Sequence, residues 1–213
     1  MVKNIYLVRH GQSQTNVTGE FAGQLDTPLS ELGVKQSKCL IDYFKDVKID
    51  EIYSSKLQRA YNTIKPVADM FNIKIITDDR IMEINGGDWQ GVTYDYLNKT
   101  SKSFQTIWKT DLYNARCDNG ESIKEICDRV VDFLLDVVKN SKAENIIIST
   151  HAVPIRAIIA YLTFGSCERI AEISWTLNAG ITKLVCEDDK LFIKDKLISS
   201  HLKEFITALP TTV

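Results

Sequence analysis

Apolar residues along this chain switch between a strand period and a helix period, and the switches lay out most of the elements. Residues 3–8 contain the unbroken apolar run Ile5, Tyr6, Leu7 and Val8, which predicts a buried strand, with Arg9, His10 and Gly11 where it runs out into a loop. After Pro28, Ser30 is placed to cap a helix whose face carries Ser37, Leu40, Ile41, Phe44 and Val47. Residues 49–54 predict a short strand. Leu57, Ala60, Tyr61, Ile64, Val67, Ala68 and Phe71 then recur at helical spacing. Because that stripe continues past Pro66, the proline is expected to kink the helix without ending it. Residues 73–77 predict a third strand.

From residue 78 to residue 120 neither period persists. This stretch holds Trp89, Tyr94, Tyr96, Phe104, Trp108 and Tyr113 and reads as short helices and loops, with residues 84–120 as a cap-like aromatic segment. Most of these rings are expected in the core, and some lining a substrate pocket. Periodicity returns at Ser122, which with Glu125 makes a capping-box pattern ahead of the stripe Ile123, Ile126, Val130, Phe133, Leu134 and Val137. Asn145–Thr150 is β-branched and ends directly on His151, and Pro154 suits the first turn of a helix extending to about Phe164. Ile181–Glu187 and residues 191–195 alternate about Asp188 and Asp189, which predicts a hairpin at the sheet edge. Strands separated by helices imply an α/β fold, a three-layer α/β/α sandwich whose sheet is mostly parallel, with an antiparallel edge hairpin near the C-terminus. No repeat or linker divides residues 1–213, so one domain is expected.

Composition narrows the function. The 213 residues are 44% hydrophobic, enough for a single large core, and 26 basic against 28 acidic side chains leave a net charge of −2. That balance lacks the basic excess of a nucleic-acid partner. The first apolar run is too short for a signal peptide or a membrane span, so a cytoplasmic protein without a membrane partner is expected. Cys39, Cys117, Cys127, Cys167 and Cys186 are odd in number, scattered and free of any Cys-x-x-Cys pair, which predicts free thiols and neither a disulfide framework nor a zinc site.

In open parallel sheets the ligand crevice lies beyond the carboxyl ends of the strands. Two predicted strands end on His10 and His151, and a third ends close to Arg59. Imidazole beside guanidinium suits phosphate, because Arg grips its oxygens bidentately and a neutral imidazole can attack phosphorus.

The run Leu7-Val8-Arg9-His10-Gly11-Gln12-Ser13-Gln14-Thr15-Asn16 closely resembles the signature of the histidine phosphatase superfamily, the phosphoglycerate-mutase-like proteins. The resemblance continues, in family order, through residues 23–30, 53–60, 83–91, 120–122, 149–151 and 178–182. It implies that His10 is a nucleophile that becomes a phosphohistidine, and that Glu83 protonates the leaving alkoxide. It further implies a phosphate pocket of Arg9, Arg59 and His151 with an additional contact from Asn16. Ala22 and Gly23 match a loop whose backbone approaches the substrate, and Ala152 stands beside the phosphate where relatives usually have glycine. No metal or other cofactor is implied.

Elementary chemistry supports these roles. A loose phosphoryl-transfer transition state asks chiefly for in-line positioning and stabilisation of spread negative charge, which two arginines and a histidine can supply. Glu83 sits between Met82 and Ile84 and near Trp89, a setting that raises a carboxyl pKa as an acid at neutral pH requires. His10 has to be neutral and held in one tautomer, so its other ring nitrogen is expected to donate to a nearby acceptor such as a backbone carbonyl. His201 is expected to be structural. Two further departures from the family pattern are Pro66 and the pair Asp118-Asn119, which precedes Gly120 where many relatives have proline and is expected to loosen the pocket edge or change its charge.

Mutases of the superfamily carry a longer insertion between the acid and the second histidine, and the shorter interval from Glu83 to His151 favours water as the acceptor. The expectation is therefore a metal-independent phosphomonoesterase acting on a small phosphorylated metabolite, as monomer or homodimer. A cofactor-dependent phosphoglycerate mutase and a non-catalytic phosphate-binding module are the alternatives. Lys102, Lys109 and Arg116 are the cations available in the aromatic segment to meet a second anionic group.

Overall fold

The computed structural model describes residues 2–188 and 190–208. Six strands form one sheet: β1 (Asn4–Arg9), β2 (Glu51–Ser54), β3 (Ile75–Thr77), β4 (Asn145–Thr150), β5 (Ile181–Glu187) and β6 (Lys190–Ile198), in the order β3-β2-β4-β1-β5-β6. The first four are mutually parallel, and β5 and β6 are antiparallel additions beside β1. The β1–β4 register runs from Asn4 opposite Asn145 to Arg9 opposite Thr150. His10 and His151 therefore leave neighbouring strands at the same level. β2 ends one strand further over, so Ser55 joins them.

The helices are α1 (Gln14–Thr18), α2 (Glu31–Phe44), α3 (Gln58–Phe71), α4 (Tyr94–Thr100), α5 (Lys102–Gln105), α6 (Ile107–Thr110), α7 (Ile123–Asn140) and α8 (Ala152–Phe164). Alternate β1 side chains enter two separate cores, as the period of a strand requires. Tyr6 and Val8 pack with Leu40 and Phe44 of α2 and Ile64 and Val67 of α3. Ile5 and Leu7 pack with Val130 and Phe133 of α7 and Ile155 and Ile158 of α8. Each fully buried side chain of this size contributes roughly 1.5–3 kcal/mol. The two apolar faces give the three layers expected from the sequence. No helix among the described residues is long and apolar enough to cross a membrane.

Local signals are realised with small shifts. Ser30 caps α2 through a 3.0 Å bond from Gly33 N, and Ser122 and Glu125 close the capping box of α7 at 2.8 and 3.2 Å. α3 continues through Pro66. Arg9 belongs to β1 and not to the following loop, β2 and β3 are shorter than their apolar runs, and β6 is longer. Of the expected hairpin turn, Asp189 lies outside the described residues. α1 has no apolar stripe to announce it: it is held by a capping box between Ser13 and Asn16 and stopped by Gly19 at φ 69°.

The aromatic segment divides. Trp89 and Phe104 are buried in the core with ring centroids 5.3 Å apart, and Trp108 lies 5.1 Å from Trp89. Asp118 accepts hydrogen bonds from Trp89 Nε1 at 3.0 Å and Ser103 Oγ at 2.8 Å. This corrects the expectation of a loosened pocket edge: Asp118 ties the segment together and does not line the cleft.

Candidate active site

The end of β1 presents His10. Its backbone is fixed by His10 N donating to Thr150 O at 2.9 Å, and its carbonyl accepts from Ala179 N at 3.1 Å and Asn178 Nδ2 at 3.2 Å. Gly11 N donates to Thr63 Oγ1 at 2.8 Å. A Cβ at Gly11 would stand 2.8 Å from Gly33 O, so only glycine lets α2 approach here. His10 Nδ1 lies 2.7 Å from Gly11 O. A carbonyl can only accept, so Nδ1 carries the proton and Nε2 the lone pair. Burial first, then Arg59 and Arg9, hold the His10 pKa well below its ordinary value, against the opposing pull of the Gly11 carbonyl.

His151 opens α8, fully buried beside His10, with ring centroids 5.1 Å apart. Its Nε2 shares a 2.8 Å hydrogen bond with Ser55 Oγ, and its Nδ1 is buried with no protein partner. Burial, then Arg59, His10 and Arg9, likewise push its pKa well down, so both imidazoles are neutral near pH 7.

Arg9 donates to the carbonyl of Thr176, and Arg59 donates to Gly23 O and Leu25 O, each at 2.7 Å. Burial lowers both arginines, Arg59 to about 10, and both remain charged at neutral pH. The Nε atoms of both are buried without a protein partner. Arg59 thus supports the loop carrying Ala22 and Gly23. Gly23 has φ 50°, and a Cβ there would meet Gln90 Oε1 at 2.5 Å, so conformation and space both demand glycine. Asn16, exposed on α1, accepts at Oδ1 from Ser13 N and Asn178 Nδ2, both at 3.1 Å, which orients its NH2 group as a donor.

Glu83 is half-buried. Its carboxyl accepts from Ile84 N at 3.0 Å and Ala152 N at 3.2 Å. Burial raises its pKa and outweighs the lowering by the Ile84 amide, by Arg59 and Arg9, and by the Val153 amide. Ala152, expected beside the phosphate, thus spends its amide on the acid. Behind Glu83, Arg129 donates to the carbonyls of Arg80 (2.6 Å), Met82 (2.8 Å) and Glu83 itself (3.0 Å). It also forms a bidentate pair with Glu121, at 2.7 and 2.9 Å, whose Oε2 accepts from Asn85 N at 3.0 Å.

A cleft of about 560 Å³ is lined by Arg9, His10, Asn16, Ala22, Gly23, Arg59, Glu83 and Ala152. Every residue singled out for the site is on this wall except His151, whose buried ring stands against that of His10. Thr63, Thr176 and residues 206–208 were not legible as site residues, because they contribute a supporting hydroxyl, a backbone carbonyl or a stretch of passing chain, and Trp175 on the cleft wall belongs to no periodic stripe. Ser55 and Asn178 lay inside matched blocks, which is the only signal they gave. His201 donates from Nε2 to Ala179 O, 2.9 Å away, and Ala179 N in turn donates to His10 O, so the third histidine braces the chain behind His10. Among the described residues no three His, Cys, Asp or Glu groups are arranged to hold a metal ion. The positive charge at the cleft comes from guanidinium groups.

A buried cationic pocket with unpartnered donors should gain stability from an oxyanion. Saturating inorganic phosphate or vanadate is expected to raise Tm by about 5–10 °C, since a ligand at 100 times its Kd adds about 2.7 kcal/mol. Differential scanning calorimetry checks this, with Arg59→Met losing the shift.

Residues 5–197 match the model of the histidine phosphatase superfamily (branch 1), so the chain belongs to that family. It is 34% identical over 209 residues to phosphoserine phosphatase 1 of Hydrogenobacter thermophilus, covering 96% of each protein. It is 30% identical over 158 residues to the adenosylcobalamin/alpha-ribazole phosphatase of Salmonella typhimurium, covering 74% of this chain and 78% of that one. The structure of the mycobacterial glucosyl-3-phosphoglycerate phosphatase in complex with VO3 superposes with a TM-score of 0.85 at 26% identity, covering 93% of this chain and all of that one. Within its family the chain is a phosphatase.

Proposed function

We propose that this phosphatase is a phosphomonoesterase that hydrolyses a small phosphorylated metabolite through a phosphohistidine on His10. The observation that carries the reading is the 2.7 Å bond from Nδ1 to Gly11 O, which leaves Nε2 as a fixed, unprotonated nucleophile on the wall of a cationic cleft. In the first step Nε2 bonds to phosphorus as the bond to the alcohol oxygen breaks, and Glu83 gives its proton to that oxygen. In the second, Glu83 as carboxylate takes a proton from water, the water oxygen bonds to phosphorus, and the phosphorus–nitrogen bond breaks to free His10 and phosphate. Arg9, Arg59, the Nδ1 side of His151 and the Asn16 amide group bind the phosphoryl oxygens, and the backbone of Ala22 and Gly23 borders them. Ala152 acts through Glu83. Guanidinium charge fills the part a metal plays elsewhere, so turnover should persist in chelator-treated protein. Rapid quench in alkaline detergent of the enzyme mixed with 32P-labelled substrate in EDTA should trap a phosphoenzyme that is stable in alkali and lost on acid treatment; hydrolysis without one sinks the reading.

The pKa directions give a pH signature. An acid with a raised pKa stays protonated to higher pH, and a base with a lowered pKa stays neutral to lower pH. For an alkyl phosphate, kcat/KM should fall as pH rises through the pKa of Glu83. An activated aryl phosphate, whose phenolate leaves unaided, should lack that limb. On the acid side both should persist below the ordinary histidine value of about 6.5. Parallel pH–rate profiles on the two esters check this.

A further inference from the structure

The cleft is larger than a phosphate, and the rest of its wall has a definite chemistry. Phe21, Leu32, Tyr94, Trp108, Trp175 and Ile206 supply a mainly apolar surface. Apart from the phosphate-binding arginines no Lys or Arg lines it, and its one charge outside the proposed catalytic groups is Glu20, for which no ion pair is formed among the described residues. None of the cations of the aromatic segment lines the cleft: Lys109 donates to Asn98 at 2.6 Å and Arg116 to Gly120 O at 2.8 Å, and Lys99 and Lys102 are likewise absent from its wall. Arg156 lies with its guanidinium 4.1 Å from the Trp175 ring centroid and spends its donors on Ile173 O at 2.8 Å and Ile170 O at 2.9 Å.

From this inventory, and resting on the phosphomonoesterase reading above, we propose that the leaving alcohol has an apolar body without a second anionic group, and that Glu20 is the residue that discriminates against one. Two arginines balance one phosphate dianion. A further carboxylate on the alcohol would enter an aromatic pocket beside an acid with no cation to meet it, an uncompensated desolvation with like-charge repulsion. The exclusion concerns an alcohol whose only extra charge is anionic; the phosphoserine named for the Hydrogenobacter relative also bears an ammonium, which Glu20 on the wall could meet, so it does not discriminate between the possibilities.

The test uses 2-phenylethyl phosphate and its para-carboxylate analogue, which share a leaving group and differ in one remote charge, together with the matching non-hydrolysable phosphonates. The neutral ester is expected to have a kcat/KM about tenfold or more above the carboxylated one, and the phosphonates to show the same order in calorimetric Kd. Glu20→Gln should shrink both ratios to about threefold or less. Equal or reversed preference in the native protein overturns the proposal, and unchanged ratios in Glu20→Gln overturn the assignment to Glu20. If the phosphonates discriminate as expected while neither ester is turned over, the pocket chemistry stands and the phosphomonoesterase reading falls.

A second inference rests on a separate observation, the saturated Arg129. The geometry assigns Arg129 and Glu121 as positioning residues for the acid: one guanidinium gathers the carbonyls of Arg80, Met82 and Glu83, and Glu121 takes the amide of Asn85, two residues beyond the acid. Neither side chain lines the cleft. Arg129→Met is expected to lower the ratio of alkyl to aryl phosphate turnover by about tenfold, because only the alkyl leaving group needs a placed proton. Arg129→Lys, which keeps the charge and loses the planar fork, should move the ratio the same way in a well-folded protein. Added to Glu83→Gln, either change should leave the ratio where Glu83→Gln alone puts it. Proportional loss on both esters, or a further drop in the double variant, overturns the assignment.

Discussion

His10→Ala is expected to lower kcat/KM for every phosphomonoester, good or poor leaving group alike, by on the order of 10⁴- to 10⁶-fold. The loss should be uniform because the nucleophile precedes any demand the leaving group makes. Binding should survive: Arg9 and Arg59 are anchored by Thr176, Gly23 and Leu25, none of which touches the His10 ring. The variant should therefore still gain thermal stability from vanadate or phosphate while failing to label with 32P. Removing the ring leaves a space beside His151, whose Nδ1 has no protein partner. Residual turnover routed through water in that space would show no phosphoenzyme and would keep the leaving-group dependence set by Glu83. Full activity, or a trapped phosphoenzyme in His10→Ala, is the outcome that removes the proposed mechanism.

Much of this arrangement was readable from residues alone, for physical reasons that differ by element. β1 and β4 are short, apolar and β-branched, and each ends abruptly on a histidine, so their ends were visible and their meeting followed from parallel pairing. The register that puts Arg9 opposite Thr150, and so levels His10 with His151, is a tertiary fact that apolar patterning does not encode. α1 escaped because it buries only Thr15, leaving no stripe. Within the aromatic segment the pattern could not say which rings face the core: Trp89 and Phe104 do, Trp108 packs with them and also borders the cleft, and Tyr94 reaches the cleft. The raised pKa of Glu83 was legible in its apolar neighbours. Arg129, its strongest support, was not, since one arginine on a helix 46 residues away reads as solvated charge until the carbonyls it gathers are seen. The charges that line the cleft could not be listed either. Lys102, Lys109 and Arg116 sat in the right stretch of chain, and none of them lines the cleft.

Glu83→Gln should separate substrates as sharply as His10→Ala treats them alike. With an alkyl phosphate, whose alkoxide is a poor leaving group, loss of the acid is expected to cost about 10²- to 10⁴-fold in kcat, whereas an activated aryl phosphate should lose far less. Glutamine keeps the volume, so packing changes little. It does alter the hydrogen bonding: both carboxyl oxygens accept backbone amides, from Ile84 on one side and Ala152 on the other, and a carboxamide can satisfy only one of them. The unsatisfied amide should cost about 1–3 kcal/mol of stability, seen as a lower Tm of the variant, and a loss of folded protein affects both substrates equally and cannot mimic the split between them. The alkaline limb of the alkyl profile should vanish with the acid, because its origin is the titration of the group replaced. Glu83→Asp is the stringent control: it keeps a titratable proton and withdraws it by one methylene, so an acid acting by position should lose alkyl turnover while a pH limb survives. Equal losses on alkyl and aryl esters in Glu83→Gln would instead make the carboxyl a support for the α8 amides, and the proton would have to come from another group on the cleft wall.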